Sequence, residues 1–308
     1  GDKVFHDPGR MDAADAAAAR VREGAAPPPA PSAAFPLETY MAGTSNQVAL
    51  NAARDVIAKP GKKYNPLVIA GKSGLGKTHL LNAIGLELAK KRGAIVACLS
   101  TQGFVDELIA AIDGNRVDWW RARYRRCTAL LLDDIHLLAG KERTQEELFN
   151  LFNQFLDAER QLLFTAPAHP NTLEGLEERI ASRLEGGLVA EVGAPDKELR
   201  RNALERVLKQ QDIPADAALL DYFADRPVDS VRSLTGLVQR VVDAATSQEV
   251  PITAGLAREV LEGSAAARRT VGARTSGLVV SSAGGVRSRE KMVWDWPAAS
   301  DRVIEDVR

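Results

Sequence analysis

Cysteine is scarce here: the 308 residues hold only two, Cys98 and Cys127. That is no disulfide framework and points to reduced thiols in a cytosolic protein. Charge of one sign is missing too. The 40 Lys and Arg stand against 41 Asp and Glu, for a net charge of −1. No global field therefore marks a nucleic-acid binder, and any such binding must be local. No apolar run approaches the ~18 residues of a spanning helix, so no membrane partner is expected. The N-terminus carries no charged-then-apolar signal segment, and a cytoplasmic location is the expectation. The chain opens on Gly1 rather than Met, which leads us to expect a piece of a longer protein.

What is there is a globular body between two compositionally odd ends. Residues 1–35 are Ala-rich and then Pro-rich, through Pro27-Pro28-Pro29-Ala30-Pro31, and read as a disordered, extended tether. Residues 264–308 turn to Ala, Ser, Gly and Arg, with Trp294 and Trp296 near the end, and read as a flexible tail with a short helix from Ser300. In between, short apolar runs at 67–70, 94–99, 128–133, 161–165 and 188–192 alternate with longer amphipathic stretches. The clearest helix is 143–158. There Thr144 and Glu147 have the spacing of a capping box, and Leu148, Leu151, Phe152, Phe155 and Leu156 recur on one face. Strands alternating with helices imply βαβ units and a buried parallel sheet. After Pro195 the strands stop, and helices are predicted near 196–210, 215–225, 230–246 and 253–262. The expected architecture is an α/β domain over 36–194 followed by a small all-α domain over 195–263.

Residues 71–78, Gly71-Lys72-Ser73-Gly74-Leu75-Gly76-Lys77-Thr78, match G-x-x-x-x-G-K-[ST] in full. They follow an apolar strand and open a helix, the context that motif requires. Glycines let the backbone bend so that successive amides face phosphate oxygens. The helix N-terminus adds partial positive charge, and Lys77 brings a full one to the β and γ oxygens. Thr78 offers a hydroxyl to Mg²⁺. Downstream, Ala129-Leu130-Leu131-Leu132-Asp133-Asp134 buries a strand and puts two carboxylates at its carboxyl end, where open α/β sheets bind ligands. Asp133 is assigned to the Mg²⁺ shell, and Asp134 to orienting and deprotonating the attacking water. The two elements together predict a nucleoside triphosphatase.

These residues resemble a known family. DDIHLLAGKERTQEELF (133–149), GKSGLGKTHLLNAIG (71–85), Tyr64-Asn65-Pro66-Leu67 and Ser45-Asn46-Gln47 are similar to the DnaA-type AAA+ replication initiators, from about Phe35 to Gly263. The resemblance implies a P-loop AAA+ three-layer sandwich with a five-stranded parallel sheet and a helical lid, binding ATP or ADP with Mg²⁺. It implies that Arg183 is the arginine finger of a neighbouring subunit's site, supported at the interface by Arg179, and that Arg232 is the lid sensor. Asn46 and His79 fall in the family's nucleotide-binding region. The helix pair over 101–112 and 115–126 corresponds to the family's insertion that lines a channel for single-stranded DNA, with Ile109, Lys141 and Arg143 at the single-strand contacts. Arg116, Trp119, Trp120, Arg121, Arg123, Tyr124, Arg125 and Arg126 interleave basic and aromatic groups there. Composition alone favours buried Trp120 and Tyr124 with solvated arginines.

Two departures stand out. The family's Ser-Asp-Arg sensor run is replaced by Ala166-Pro167-Ala168 after Thr165, which predicts slow, switch-type hydrolysis. Nothing after Gly263 resembles the duplex-binding helix-turn-helix domain, so duplex DNA is not an expected partner of these residues. The leading expectation is an ATPase that assembles with copies of itself when ATP is bound and holds single-stranded DNA, with replication proteins as further partners. The alternative is a regulatory or adaptor module of the same family.

Overall fold

The computed structural model describes residues 26–211, 213–214 and 216–263. Residues 1–25 of the expected tether and the whole expected tail, with Trp294, Trp296 and the helix from Ser300, lie outside the described residues. The chain divides into two compact units, 1–203 with 227–233, and 204–226 with 234–308.

The first unit is built on five parallel strands: β1 (Leu67–Ala70), β2 (Val96–Ser100), β3 (Ala129–Asp133), β4 (Gln161–Ala166) and β5 (Leu188–Glu191), in the order β2-β3-β4-β1-β5. Alternate residues feed opposite faces, as the pleat demands. Val68, Leu130, Leu132, Leu162 and Phe164 enter one apolar cluster, while Leu67, Ile69, Leu131 and Leu163 enter the other. Both faces are thus buried, which is why these strands read as unbroken apolar runs rather than alternating ones.

Helices α1 (Gln47–Ala58) and α2 (Lys77–Ala89) cover one face. The other carries α3 (Thr101–Asp113), α4 (Val117–Arg125), α5 (Glu142–Asp157) and α6 (Glu178–Glu185). The expected strands all form, with ends displaced by up to two residues. Helix α1 was not anticipated. Its buried face is mostly alanine, Ala49, Ala52 and Ala53 with Leu50 and Val56, a weak hydrophobic signal.

Three expectations change. The capping box at Thr144 and Glu147 does not form. Helix α5 begins at Glu142 with Lys141 at its N-cap, and both Thr144 and Glu147 are buried inside it. Glu147 instead receives two hydrogen bonds from Arg121, at 2.9 and 2.5 Å, which hold its carboxyl below the usual carboxylate range. A capping role loses to this forked charge pair. The arginines of α4 are not simply solvated either. Arg123 pairs with Glu107 at 3.0 Å, and Arg121 reaches Asp118 as well as Glu147. Lastly, residues 26–35 are laid against the sheet edge rather than hanging free. Cys98 of β2 donates to the Pro29 carbonyl at 2.8 Å, Ser32 N–H donates to Asn82, and Arg123 and Arg126 bond the Pro27 and Ala26 carbonyls. Exposed strand edges invite unwanted pairing, and a proline-rich strap blunts this one.

The second unit is helical. Its described part holds the later turns of α7 (Lys197–Gln210), α8 (Ala217–Asp225), most of α9 (Val231–Gln248) and α10 over 254–263. Asp216 caps α8 by accepting from Leu219 N–H at 2.6 Å. Leu219, Phe223, Leu234, Val238, Val241 and Leu261 are among its buried apolar residues. No helix among the described residues is long and apolar enough to cross a membrane.

The core of the first unit yields a stability prediction. Phe152 is fully buried and stacks on Phe164 with ring centroids 5.7 Å apart. Phe152→Ala should lower the unfolding free energy by about 3–5 kcal/mol, read as a shift in the denaturant midpoint. A change under about 1 kcal/mol would mean that this stack is not central to the core.

Candidate nucleotide site and arginine face

The P-loop bridges the end of β1 and the start of α2, where the required backbone shape is visible. Gly74 and Gly76 have φ of +82° and +89°, the left-handed region that a Cβ disfavours. A Cβ on Gly74 would also stand 2.9 Å from the Ser230 hydroxyl and 3.2 Å from Arg232 Cβ. Residues 230–232, which belong to the same unit, therefore close on the loop. The Gly71 amide is fixed by the Ala166 carbonyl of β4 at 3.1 Å.

Lys77 is 7% exposed and donates to the Lys72 carbonyl at 3.1 Å. Burial pulls its ammonium below the usual lysine range; Asp134 and Asp133 act the other way, and Arg232 adds to the lowering. A buried ammonium within the field of two carboxylates and a guanidinium is suited to trade its carbonyl contact for phosphate oxygens.

Sheet order explains how the acids arrive. β4 lies between β1 and β3, so the residue at its carboxyl end separates the P-loop from the acids. The polar residue there is Thr165, one before the strand's last residue Ala166, fully buried and paired in register with Ile69 of β1. Its hydroxyl donates to Asp133 Oδ1 at 2.5 Å and accepts from the Asp134 N–H at 2.8 Å. Asp133 Oδ2 accepts from the Thr78 hydroxyl at 2.7 Å. One chain of hydrogen bonds thus runs from the P-loop threonine through the first acid to Thr165 and on to the backbone of the second acid. Asp134 itself has φ +59° and ψ +58°, a left-handed conformation that turns its carboxyl out of the strand line. His136 Nδ1 stands 4.0 Å from its Oδ1.

Thr78 and Asp133 present two hard oxygen donors side by side. No cluster of three or more His, Cys, Asp or Glu suited to a metal occurs among the described residues. That fits Mg²⁺, which is commonly held by one or two protein oxygens plus waters and phosphates rather than by a protein cage.

The remaining predicted residues fall as follows. Asn46 is buried, accepting from Gly43 N–H and donating to the Met41 carbonyl, both at 2.9 Å; it shapes the segment leading into α1. In that segment Tyr40 carries a buried hydroxyl with no hydrogen-bond partner, and burial pushes its pKa up to about 12. Its ring comes within 3.4 Å of where a Gly76 Cβ would sit. His79 packs between Phe35 and Tyr40 and shares contacts of 3.1 Å with the Thr39 hydroxyl and Pro36 carbonyl. Lys72 and Ser73 are exposed on the loop, and Leu75 is buried under it. Cys98 and Cys127 are buried thiols pushed up to about 12, chiefly by burial, which makes neither a nucleophile at neutral pH.

A second cluster sits apart from Lys77. Arg179 and Arg183, one turn apart on the exposed face of α6, both lie over the ring of Phe149 from α5, at 4.8 and 5.8 Å to its centroid. A third group comprises the predicted single-strand contacts. Ile109 is 49% exposed on α3. Lys141 and Arg143 open α5, where Arg143 pairs with Glu146 at 2.9 Å and Glu147 at 3.4 Å. Trp120 and Tyr124 are buried against Phe104, so neither is free to stack on a base.

The chain is similar to proteins of one family along most of its length. The model of the bacterial DnaA ATPase domain matches residues 32–191. The chromosomal replication initiator protein DnaA of Geobacter sulfurreducens is 40% identical over 231 residues, covering 74% of this chain and 52% of that protein. Domain III of the Thermotoga maritima replication initiation protein DnaA is similar in structure at a TM-score of 0.68 and 29% identity, covering 75% of this chain and 97% of that one. A structure of replication initiator DnaA bound to AMPPCP and single-stranded DNA has a TM-score of 0.65 at 31% identity, covering 71% of this chain and 69% of that one. The chain spans about half the length of the curated relatives it matches. On the matched range and these identities, the chain belongs to the family of bacterial DnaA ATPase domains.

Proposed function

We propose that this chain binds and hydrolyses ATP at an interface between copies of itself and holds single-stranded DNA beside the start of α5, in replication initiation or its regulation. The observation that carries this reading is the hydrogen-bonded line Thr78–Asp133–Thr165–Asp134 beneath the P-loop. Both acids of the line act electrostatically on Lys77, which ties the line to the lysine's side of the loop.

The roles follow from position. Loop amides and Lys77 hold the β and γ phosphates, with Asn46 and Tyr40 supporting the segment beside the loop and Arg232 adding charge from 227–233. Bound between Thr78 and Asp133, Mg²⁺ would neutralise phosphate charge. Asp134, turned out of the strand, orients a water and takes its proton. These groups stabilise charge on the transferred phosphoryl without covalent chemistry. Arg183, which makes no ion pair among the described residues, supplies its guanidinium to the next copy, with Arg179 beside it. Because a trans arginine binds only an occupied site, ATP then favours assembly by its own binding energy.

Single-strand binding rests on Lys141, Arg143 and Ile109. The side chain of Arg143 is 56% exposed, and its tie to Glu146 is an exposed pair of the kind worth little. A phosphodiester can displace it. The bound AMPPCP and single-stranded DNA in the similar initiator structure favour the same reading for this chain. One observation favours a regulator instead: Ala166, Pro167 and Ala168 follow Thr165, and none has a polar side-chain group to sense a γ-phosphate.

Lys77→Ala should abolish ATP binding measured by calorimetry; retained affinity would place the nucleotide elsewhere. Arg183→Ala should leave ATP affinity of the isolated protomer intact while removing the rise in hydrolysis per protomer that comes with increasing protein concentration. An equal loss of affinity in the isolated protomer would contradict a role in trans. Lys141→Ala combined with Arg143→Ala should weaken binding to a single-stranded oligonucleotide and flatten the log–log salt dependence by about 0.7 per phosphate contact removed. An unchanged slope would remove both residues from the strand's path.

A further inference from the structure

Helix α6 is held on two sides. Ile180 and Leu184 are fully buried and fix its inner face, and the residue just before it is fastened by α5. The buried Gln145 of α5 accepts from Glu177 N–H at 2.7 Å and donates to the Gly175 and Leu138 carbonyls at 3.1 and 3.0 Å. One turn further along α5 comes Phe149, half-buried against the apolar cluster, with both arginines over its ring. At the far end of α6, Glu185 meets His169 at 3.3 Å.

Two guanidinium groups one turn apart repel each other. Of the two, only Arg179 has a carboxylate partner, Glu177; Arg183 has none among the described residues. Nothing ionic therefore explains why Arg183 lies where it does. The negative face of an aromatic ring does, since it attracts a cation without discharging it or occupying its hydrogen-bond donors. A carboxylate in that place would compete with a phosphate for the same fork.

We infer that Phe149 is the positioning residue for the arginine that acts in trans: its ring seats Arg183, with Arg179, so that the guanidinium meets the neighbouring copy's triphosphate already oriented. This rests on the reading of Arg183 as the trans-acting group. Arginine carries large rotamer freedom, and a seat on the ring removes part of it before assembly. The effect belongs to the rate of assembled hydrolysis rather than to nucleotide binding, because Phe149 lies outside the P-loop.

The test compares assembly-stimulated ATP hydrolysis for the wild-type chain, Phe149→Leu, Phe149→Tyr and Arg183→Ala. Phe149→Leu keeps apolar bulk and loses the ring; kcat under assembling conditions should fall roughly two- to fivefold with KM for ATP unchanged. Phe149→Tyr keeps the ring face and should restore the rate. Fluorinated phenylalanines at position 149 weaken the ring's negative face at nearly constant shape, so the rate should fall stepwise with each added fluorine even if Phe149→Leu folds poorly. A flat response across the fluorinated series, or equal losses in Phe149→Leu and Phe149→Tyr, overturns the inference while leaving Arg183 in its role. If Arg183→Ala itself hydrolyses like the wild type, the reading of the trans arginine fails, and this inference with it.

Discussion

A buried hydroxyl decides the geometry of this site. Thr165 sits at the end of the strand that separates the P-loop from the acids, donating to one acid's carboxylate and accepting from the other's backbone amide. A buried hydroxyl without partners is costly, and the half-buried Asp133 carboxylate gives Thr165 the acceptor it needs. Their pairing leaves Asp133 free to accept from Thr78 on its second oxygen. Two strand ends and the first turn of α2 are thereby tied together at the one place where they must cooperate.

The same logic runs along α5. From Lys141 at its N-cap, the helix carries Arg143 toward solvent, Gln145 to the backbone before α6, Glu147 to Arg121 of α4, and Phe149 to the arginines of α6. One helix therefore touches the proposed strand-binding residues, the insertion and the proposed trans-acting arginines. Its sequence reads as an ordinary amphipathic helix because its apolar stripe is intact; the polar positions carry the specificity of contact.

Much of the candidate nucleotide site is legible in the chain because the pattern that marks it is local. The loop from Gly71 to Thr78 needs glycines at fixed offsets, and the acids need a buried strand before them. What was not legible depends on which elements end up adjacent. Thr144 and Glu147 have capping-box spacing, yet Glu147 is claimed by an arginine 26 residues away in sequence. The arginines of α4 look solvated by composition but find Glu107 and Glu147 in space. The prolines before Ser32 look like a tether, and the open edge of β2 gives Pro29 a partner that no periodicity announces. The seat of Arg179 and Arg183 on Phe149 likewise joins two helices separated by a strand.

The most direct measurement is a crystal structure of the chain with a non-hydrolysable ATP analogue and magnesium. The metal should sit on the Thr78 hydroxyl with Asp133 in its shell, Lys77 on the β and γ oxygens, and Arg183 of a neighbouring copy should approach the terminal phosphate. A nucleotide bound away from Lys77, or a metal bound without Thr78 and Asp133, would contradict this arrangement.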